Sequence, residues 1–137
     1  MKKVRLGAGS AYWGDMLEPA IEIAKKGDVK YIGFDHLAEL TMSILQRQKN
    51  KNPLEGYIRD IIPWMQALIP ICQPKGIKLI TNAGGVNPRS AAEQVCKLAK
   101  SLGFKGMKIA MVEGDDLYPK LDDLISKGVD LTNLDTG

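Results

Sequence analysis

Short apolar runs alternate with segments of helical periodicity along this chain, and this alternation restricts the possible folds more than any other feature. The runs cover residues 4–8, 30–34, 77–81 and 107–112. Each run ends at glycine or polar residues, and apolar residues at helical spacing follow it. Parallel strands need a crossover between them, which is usually a helix. The alternation therefore predicts an α/β fold with a parallel sheet.

The predicted sheet has about four strands in an open, doubly wound (Rossmann-like) arrangement with helices on both faces. Half of a (β/α) barrel is the alternative, because it has the same alternation of strands and helices. The chain has 137 residues, of which 45% are hydrophobic, enough for one core and too few for two domains. We therefore expect a single domain over residues 1–137, in which residues 129–137 start a linker or a further strand.

Capping residues mark several helix ends. Asp15, with Glu18 three residues later, predicts a capping box at the start of the first helix. Asn87 stands directly before Pro88 and predicts the N-cap of the helix after the third strand. The strongest helical pattern runs over residues 58–72, where two prolines predict a kink or two shorter helices.

Charge and cysteine content argue against several classes of protein. The net charge of +3 arises from 19 basic and 16 acidic residues without a basic block, so no nucleic-acid partner is expected. Cys72 and Cys96 lie in apolar helical patterns, which indicates buried thiols in a reducing cytoplasm. No apolar segment is typical of a signal peptide or a membrane span. A cytoplasmic location without a membrane partner is therefore expected.

Polar residues and glycines follow the predicted strands, at the edge of the sheet where α/β proteins bind ligands. Glycines let a ligand approach the backbone, a helix N-terminus attracts anions, and arginine neutralises phosphate. These features predict a phosphate-bearing small-molecule ligand such as a nucleotide or CoA. For the third loop, a simple turn with a helix cap is an equally good interpretation. The predicted ligand-binding residues are Gly7, Gly9, Ser10, Gly14, Asn82, Gly84, Gly85, Asn87 and Arg89.

The first loop is similar to a dinucleotide-binding fingerprint, because Gly7 and Gly9 follow a strand and Asp35 ends the next one. Tyr12 occupies the position of the third glycine, where close helix packing requires the absence of a side chain. Gly14 is the alternative residue for that role in a longer turn. The match is incomplete, so phosphate or nucleotide binding is predicted without a standard dinucleotide site.

Carboxylates are the candidate catalytic and metal-binding groups. Asp35 follows the second predicted strand, and Asp115 and Asp116 follow the fourth. Asp115 and Asp116 predict a Mg²⁺ site, or a general acid and base if one carboxyl has a raised pKa. Such residues are more often helix caps, and we expect one to cap a helix while the other faces a cleft. His36, the single histidine, is expected at the surface or at a cap.

Four segments, 7–15, 31–39, 81–88 and 112–117, have the sequences GAGSAYWGD, YIGFDHLAE, TNAGGVNP and VEGDDL. Together and in this order they resemble the amino-terminal part of the acyclic terpene utilisation family, the AtuA-like proteins. The resemblance extends over nearly the whole chain. The family-like positions are Gly7, Gly9, Ser10, Gly14, Asp15, Leu37, Ala38, Glu39, Asn82, Gly84, Gly85, Asn87, Pro88, Gly114, Asp115 and Asp116.

The resemblance implies a cytoplasmic protein of acyclic terpenoid catabolism, linked to compounds such as citronellol and geraniol whose intermediates are acyl-CoA esters. It also implies that the family's domain continues beyond this length, so we expect the amino-terminal fragment of a longer chain. It assigns no reaction and no catalytic residue. The alternative from a different class is a non-catalytic scaffold or oligomerisation module, in which open sheet edges pair with another copy.

Overall fold

Three parallel strands form the centre of the structure, and helices connect them in chain order. The computed structural model describes residues 3–133 and 135–137. The predicted α/β fold with a parallel sheet is confirmed. The elements are β1 (Leu6–Ser10), α1 (Glu18–Lys26), β2 (Tyr31–Phe34), α2 (Glu39–Lys51), α3 (Ile61–Cys72), β3 (Lys78–Thr81), α4 (Pro88–Ser101), a 3₁₀ turn (Tyr118–Lys120) and α5 (Leu121–Ser126).

One face of the sheet is buried and the other is exposed. β2 lies between β1 and β3, with Ile32 in register with Gly7 on one side and with Leu79 on the other. Exposure alternates along the strands, so these three residues face the helices. On the opposite face, Leu6 and Ile80 are 71% and 57% exposed. α1 contacts both β1 and α3, which places these two helices together on the buried face.

The predicted cover of helices on both faces is therefore not observed. The three strands follow chain order across the sheet, β1-β2-β3. Such a sheet is wound in one direction, and right-handed crossovers then place successive helices on the same side. A doubly wound sheet needs a reversal of strand order, which the described strands do not have. The one-sided cover is a feature that the (β/α)-barrel alternative shares.

The predicted fourth strand, residues 107–112, is not formed in the structure. Met107 and Ile109 pack against the core, as alternate side chains of a strand would. In the described part of the chain, however, the backbone of residues 108–116 makes no hydrogen bond with other backbone groups. A cavity separates the segment from β3. The sequence pattern indicated which side chains are buried, but it carried no information on the distance to the edge of β3.

Two apolar clusters form the core, and α3 contributes to both. The first joins α3 to α4 and includes Met65, Ile69 and Val95. The second lies between the sheet, α1 and α3 and includes Ile32 and Leu68. Burial of these side chains supplies the main favourable term in folding, and α3 therefore links the sheet to the rest of the molecule.

α3 is a single helix, although its prolines predict a kink or a division into two helices. Pro63 lies in the first turn, where the backbone N–H has no intrahelical partner, and Pro70 lies two residues before the last. Pro63 therefore costs no intrahelical bond, whereas Pro70 removes the bond to the Gln66 carbonyl close to the end of the helix. Cys72 is buried and Cys96 is partly buried, and both are free thiols, as predicted.

The two capping predictions have different outcomes. Asn87 caps α4 as predicted, because its Oδ1 accepts a hydrogen bond of 3.3 Å from the Ser90 N–H. Asp15 caps no helix, because its carboxylate accepts hydrogen bonds from two N–H groups of its own loop. α1 begins at Glu18 without a side-chain cap. The predicted capping box is therefore wrong, since the first loop uses Asp15 to stabilise its own turn.

The carboxyl-terminal part of the structure contains little regular structure beyond α5 and the 3₁₀ turn in contact with it. Residues 129–133 and 135–137 form neither helix nor strand, and Leu134, also within the predicted linker or strand, lies outside the described residues. Among the residues that the structure describes, none of the helices has the length and apolar character that crossing a membrane requires.

Candidate functional site

Polar side chains from the ends of all three strands form a hydrogen-bonded cluster. Asn82 Nδ2 donates to Asp35 Oδ1 at 2.8 Å, and Asn82 Oδ1 accepts from the His36 N–H at 2.9 Å. Ser10 Oγ donates to the Asp35 carbonyl at 3.1 Å. Because the carboxyl ends of parallel strands lie at one edge of the sheet, the fold brings together residues that are far apart in the sequence.

Asp35 is exposed, and its surroundings favour the ionised carboxylate. The hydrogen bond from Asn82 is the main cause of its lowered pKa, and the Leu37 N–H, 3.3 Å from Oδ1, adds to it. A carboxylate with a lowered pKa is a weak base, and it carries no proton to donate near neutral pH. This geometry favours a role for Asp35 in orienting Asn82 or accepting a hydrogen bond from a ligand.

His36 is buried, whereas the sequence led us to expect a surface or capping histidine. The residue is 5% exposed, and its ring lies against the rings of Phe34 and Trp64, with centroid distances of 6.3 and 5.2 Å. Its Nδ1 has no hydrogen-bond partner among the described residues. The spacing of Ile32, Phe34 and His36 is the signal that could have predicted this burial, because alternate residues of a strand share a face.

The imidazole of His36 is held in its neutral form by burial. Removal from water lowers its pKa below the ordinary value of 6.5. The nearby Tyr12 backbone and the carboxylates of Asp60, Asp35 and Asp15 oppose this lowering of the pKa. A neutral imidazole can accept a hydrogen bond, and its buried position beside the strand ends makes it part of the site.

An apolar cleft of about 880 Å³ lies beside the strand-end cluster, between the edge of β3, α3, α4 and residues 107–113. Its volume is in the range of small-molecule sites. Asn82 belongs to both the cluster and the cleft lining. The apolar lining includes Met65, Ile69, Leu79, Val95, Met107 and Ile109. The loop after β3, the start of α4 and the segment after residue 112 also line the cleft, through Asn82, Gly84, Gly85, Pro88, Glu113 and Asp115.

Gly84 and Gly85 line this cleft, but protein atoms already occupy the space that side chains would take. A Cβ at Gly84 would lie 2.9 Å from Pro88, and one at Gly85 would lie 2.4 Å from Leu45. Gly85 also has a φ of 53°, in the left-handed region that favours glycine. Close packing of the loop accounts for both glycines, and their contact with a phosphate stays a prediction.

The first-loop glycines have a different position from the one expected. Gly7 and Gly9 lie inside β1, which extends to Ser10. A Cβ at Gly7 would lie 2.8 Å from a side chain of α1, and one at Gly9 would lie 2.2 Å from the Phe34 ring. Gly14 is exposed farther along the loop. In the described structure these first-loop residues do not line the apolar cleft, and their contact with a phosphate stays a prediction.

Arg89 lies in the first turn of α4, where an anion site is predicted. Its guanidinium is 3.7 Å from the Glu113 carboxylate, and both side chains are largely exposed. Pro88 has no N–H, and the Ser90 N–H is bound to Asn87. The backbone N–H and guanidinium of Arg89 are therefore the donors that this turn can offer to an anion.

Asp115 and Asp116 have different surroundings. Asp116 Oδ1 accepts a hydrogen bond of 3.0 Å from the Tyr118 N–H at the start of the 3₁₀ turn before α5, and the N-cap of that turn is Leu117. Asp115 lines the cleft. Among the described residues, no group of three histidine, cysteine or carboxylate side chains is placed to hold a metal ion. The Mg²⁺ site at Asp115 and Asp116 stays a prediction without a third ligand of this kind.

A family model covers nearly the whole chain. The model is described as acyclic terpene utilisation family protein AtuA, and it matches residues 4–137. Comparisons with curated proteins and with solved structures gave no match. The matched residues include the strand-end cluster and the cleft. The chain therefore belongs to the acyclic terpene utilisation (AtuA) family.

Proposed function

We propose that this protein acts in the catabolism of branched acyclic terpenoids of the citronellol and geraniol type, as a cytoplasmic, enzyme-related protein that binds an acyl-CoA thioester. The observation that carries the proposal is the apolar cleft of about 880 Å³ beside the strand-end loops. A branched hydrocarbon chain needs an apolar lining. Rossmann-like and other open α/β sheets bind ligands beside the carboxyl ends of their strands. A nucleotide is the alternative phosphate-bearing ligand.

The loops beside the cleft offer groups for the polar part of an acyl-CoA. Arg89 supplies a positive charge for phosphate at the start of α4. Asp115 lines the cleft and is free of the backbone contact that Asp116 makes, so it is the carboxylate best placed to act on a bound thioester. Asp35 and Asn82 are joined by a hydrogen bond and can orient the thioester beside Asp115.

Calorimetric titration of the protein with citronellyl-CoA, CoA, ATP and NAD(P) tests this proposal. We expect citronellyl-CoA to bind more tightly than CoA, because only the thioester places apolar surface in the cleft. Arg89→Gln should weaken the binding of both CoA compounds, whereas Lys97→Gln, an exposed position on the same helix, should not. Failure of citronellyl-CoA, CoA, ATP, NAD and NADP all to bind the unaltered protein would contradict both the acyl-CoA proposal and its nucleotide alternative.

A second candidate function is assembly, and the uncovered face of the sheet favours it. Leu6 and Ile80 are exposed on that face, and within the described residues β1 and β3 each have one unpaired edge. Exposed apolar surface and open edges promote association with another copy. Light scattering over a wide concentration range should then detect a dimer, and Leu6→Glu should weaken it. Leu54→Glu, at an equally exposed leucine outside the sheet, is the control. A protein that is monomeric throughout would contradict this function.

A further inference from the structure

The outer edge of β3 carries backbone groups that the sheet does not use. In the part of the chain that the structure describes, β3 pairs with β2 alone, and the Lys78 N–H donates to the Lys30 carbonyl at 3.0 Å. Successive residues of a strand direct their N–H and C=O groups to opposite sides. The backbone groups of Leu79 and Thr81 therefore point away from β2, and both residues line the apolar cleft. Two donors and two acceptors face the cleft from this edge.

The opposite wall of the cleft leaves these groups unpaired. Residues 107–113 line that wall, and within the described chain the backbone of residues 108–116 forms no hydrogen bond with the backbone of β3. Met107 and Ile109 of this wall contact the core with partly buried side chains. Within the described chain the cleft is thus a slot of about 880 Å³ between a sheet edge with free backbone hydrogen-bonding groups and an apolar wall.

We propose that the pantetheine arm of an acyl-CoA thioester binds in this slot along β3, in the manner of an added strand; this inference rests on the proposed function. Pantetheine is an extended chain with two amides separated by two methylene groups. Each amide has one N–H and one C=O, so the arm presents to Leu79 and Thr81 the groups that a peptide presents in strand addition. The backbone of β3 recognises the arm, whatever acyl group it carries.

The two ends of the bound thioester then have defined surroundings. The acyl group lies among Met65, Ile69 and Val95, where α3 and α4 form the apolar end of the cleft. The nucleotide end leaves the cleft near Arg89, whose charge matches that of the phosphates. The competing occupant is the chain's own segment 107–112, which has a strand-like pattern and can pair with β3 only if the slot closes.

Amide hydrogen exchange, measured residue by residue by NMR, distinguishes these occupants. S-citronellyl-pantetheine, which lacks the nucleotide, should slow exchange of the Leu79 and Thr81 amides by about tenfold or more. The Lys78 and Ile80 amides, which face β2, are the internal control and should not change. Protection of Leu79 and Thr81 in the ligand-free protein would show that segment 107–112 occupies the edge, and it would overturn the inference.

A variant pair on α4 tests the position of the arm independently. Ala92 lines the cleft, and the neighbouring Glu93 does not. Ala92→Trp should weaken S-citronellyl-pantetheine binding by about tenfold or more, whereas Glu93→Trp should leave it unchanged. If citronellyl-CoA binds but neither the Leu79 nor the Thr81 amide is protected, the inference fails and the proposed function stands. If citronellyl-CoA does not bind at all, the proposed function fails with it.

Discussion

At the scale of single residues, Asn87 joins two parts of the chain through one side chain. Its Oδ1 caps α4, and its Nδ2 donates to the carbonyls of Pro53 and Glu55 at 2.8 and 2.7 Å. The residue is buried, so water does not readily replace these bonds. Asn87 therefore fixes the segment before α3 against the start of α4, a role that needs a donor and an acceptor in the same side chain.

We expect Asn87→Ala to lower the free energy of unfolding by about 2–4 kcal/mol, because a helix cap and two hydrogen bonds to partly buried carbonyls are lost. Asn87→Asp keeps the cap and loses both donors, so its effect should be intermediate. Urea unfolding followed by circular dichroism measures both variants. A loss below about 1 kcal/mol for Asn87→Ala would show that the contacts are dispensable.

His36 gives the protein a pH-dependent stability that a second residue-scale experiment can isolate. Burial lowers the pKa of His36 in the folded protein below its ordinary value of 6.5, so the unfolded state binds more protons as the pH falls. The free energy of unfolding should therefore decrease as the pH falls from about 7.5 to 5. Carboxyls with lowered pKa values, such as Asp35 and Glu55, contribute only at lower pH.

His36→Phe should remove this pH dependence while keeping an aromatic ring beside Phe34 and Trp64. Because the chain has one histidine, no other side chain of this kind titrates in the same range. Urea unfolding at several pH values between 7.5 and 5 measures the slope in both proteins. An equal slope in the variant would mean that the imidazole of His36 is not the titrating group.

At the scale of secondary-structure elements, the sheet has two chemically different faces. Gly9 on the buried face leaves room for the Phe34 ring, which a Cβ would approach to 2.2 Å. Gly33 on the exposed face has no atom within 4 Å of the position that a Cβ would take. Packing against Phe34 therefore leaves no space for a side chain at position 9, whereas position 33 has space for one. The two positions differ because the helices cover only one side of the sheet.

Gly9→Ala should destabilise the protein by about 1–3 kcal/mol, because the added methyl group forces Phe34 out of its position in the core. Gly33→Ala is the matched control and should be neutral or slightly stabilising, since alanine restricts the unfolded chain more than glycine does. Thermal unfolding of the two variants beside the unaltered protein gives the comparison. Equal effects at the two positions would contradict the one-sided cover of the sheet.

At the scale of the whole molecule, the core around α3 and the wall of the cleft differ in the contacts that stabilise them. α3 connects the sheet to α1 and α4 through buried side chains. In the described structure, residues 108–116 have no backbone hydrogen bonds to other backbone groups and few buried side chains. Segments with these properties open at low free-energy cost. The wall of the cleft is therefore the part that is expected to open first.

Limited digestion with trypsin should cut the free protein early after Lys108, before it cuts after lysines of α4 such as Lys97. Citronellyl-CoA should slow the cut after Lys108, because this residue lines the cleft. It should not slow the cut after Lys127, which does not line the cleft and serves as the internal control. Mass spectrometry of the early fragments identifies the sites. First cuts within α4 would contradict a loosely held wall.

Local sequence patterns were sufficient to predict the features that depend on residues close together in the chain. Apolar spacing predicted the strands and helices around Ile32, Leu68 and Val95, because periodicity reports which face of an element is buried. The cap at Asn87 was predictable for a similar reason: its partner, the Ser90 N–H, is three residues away. The α/β class and the family resemblance followed from the same local information.

Only the tertiary structure decided features that depend on residues far apart in the chain. The side of the sheet that the helices cover, the burial of His36 and the occupied space beside Gly9 and Gly85 all depend on which elements become neighbours. The cleft exists because residues 107–112 pack against α4 without reaching the hydrogen-bonding distance of β3. A sequence pattern encodes which residues avoid water, whereas the distance between two elements is set by all the side chains that pack between them.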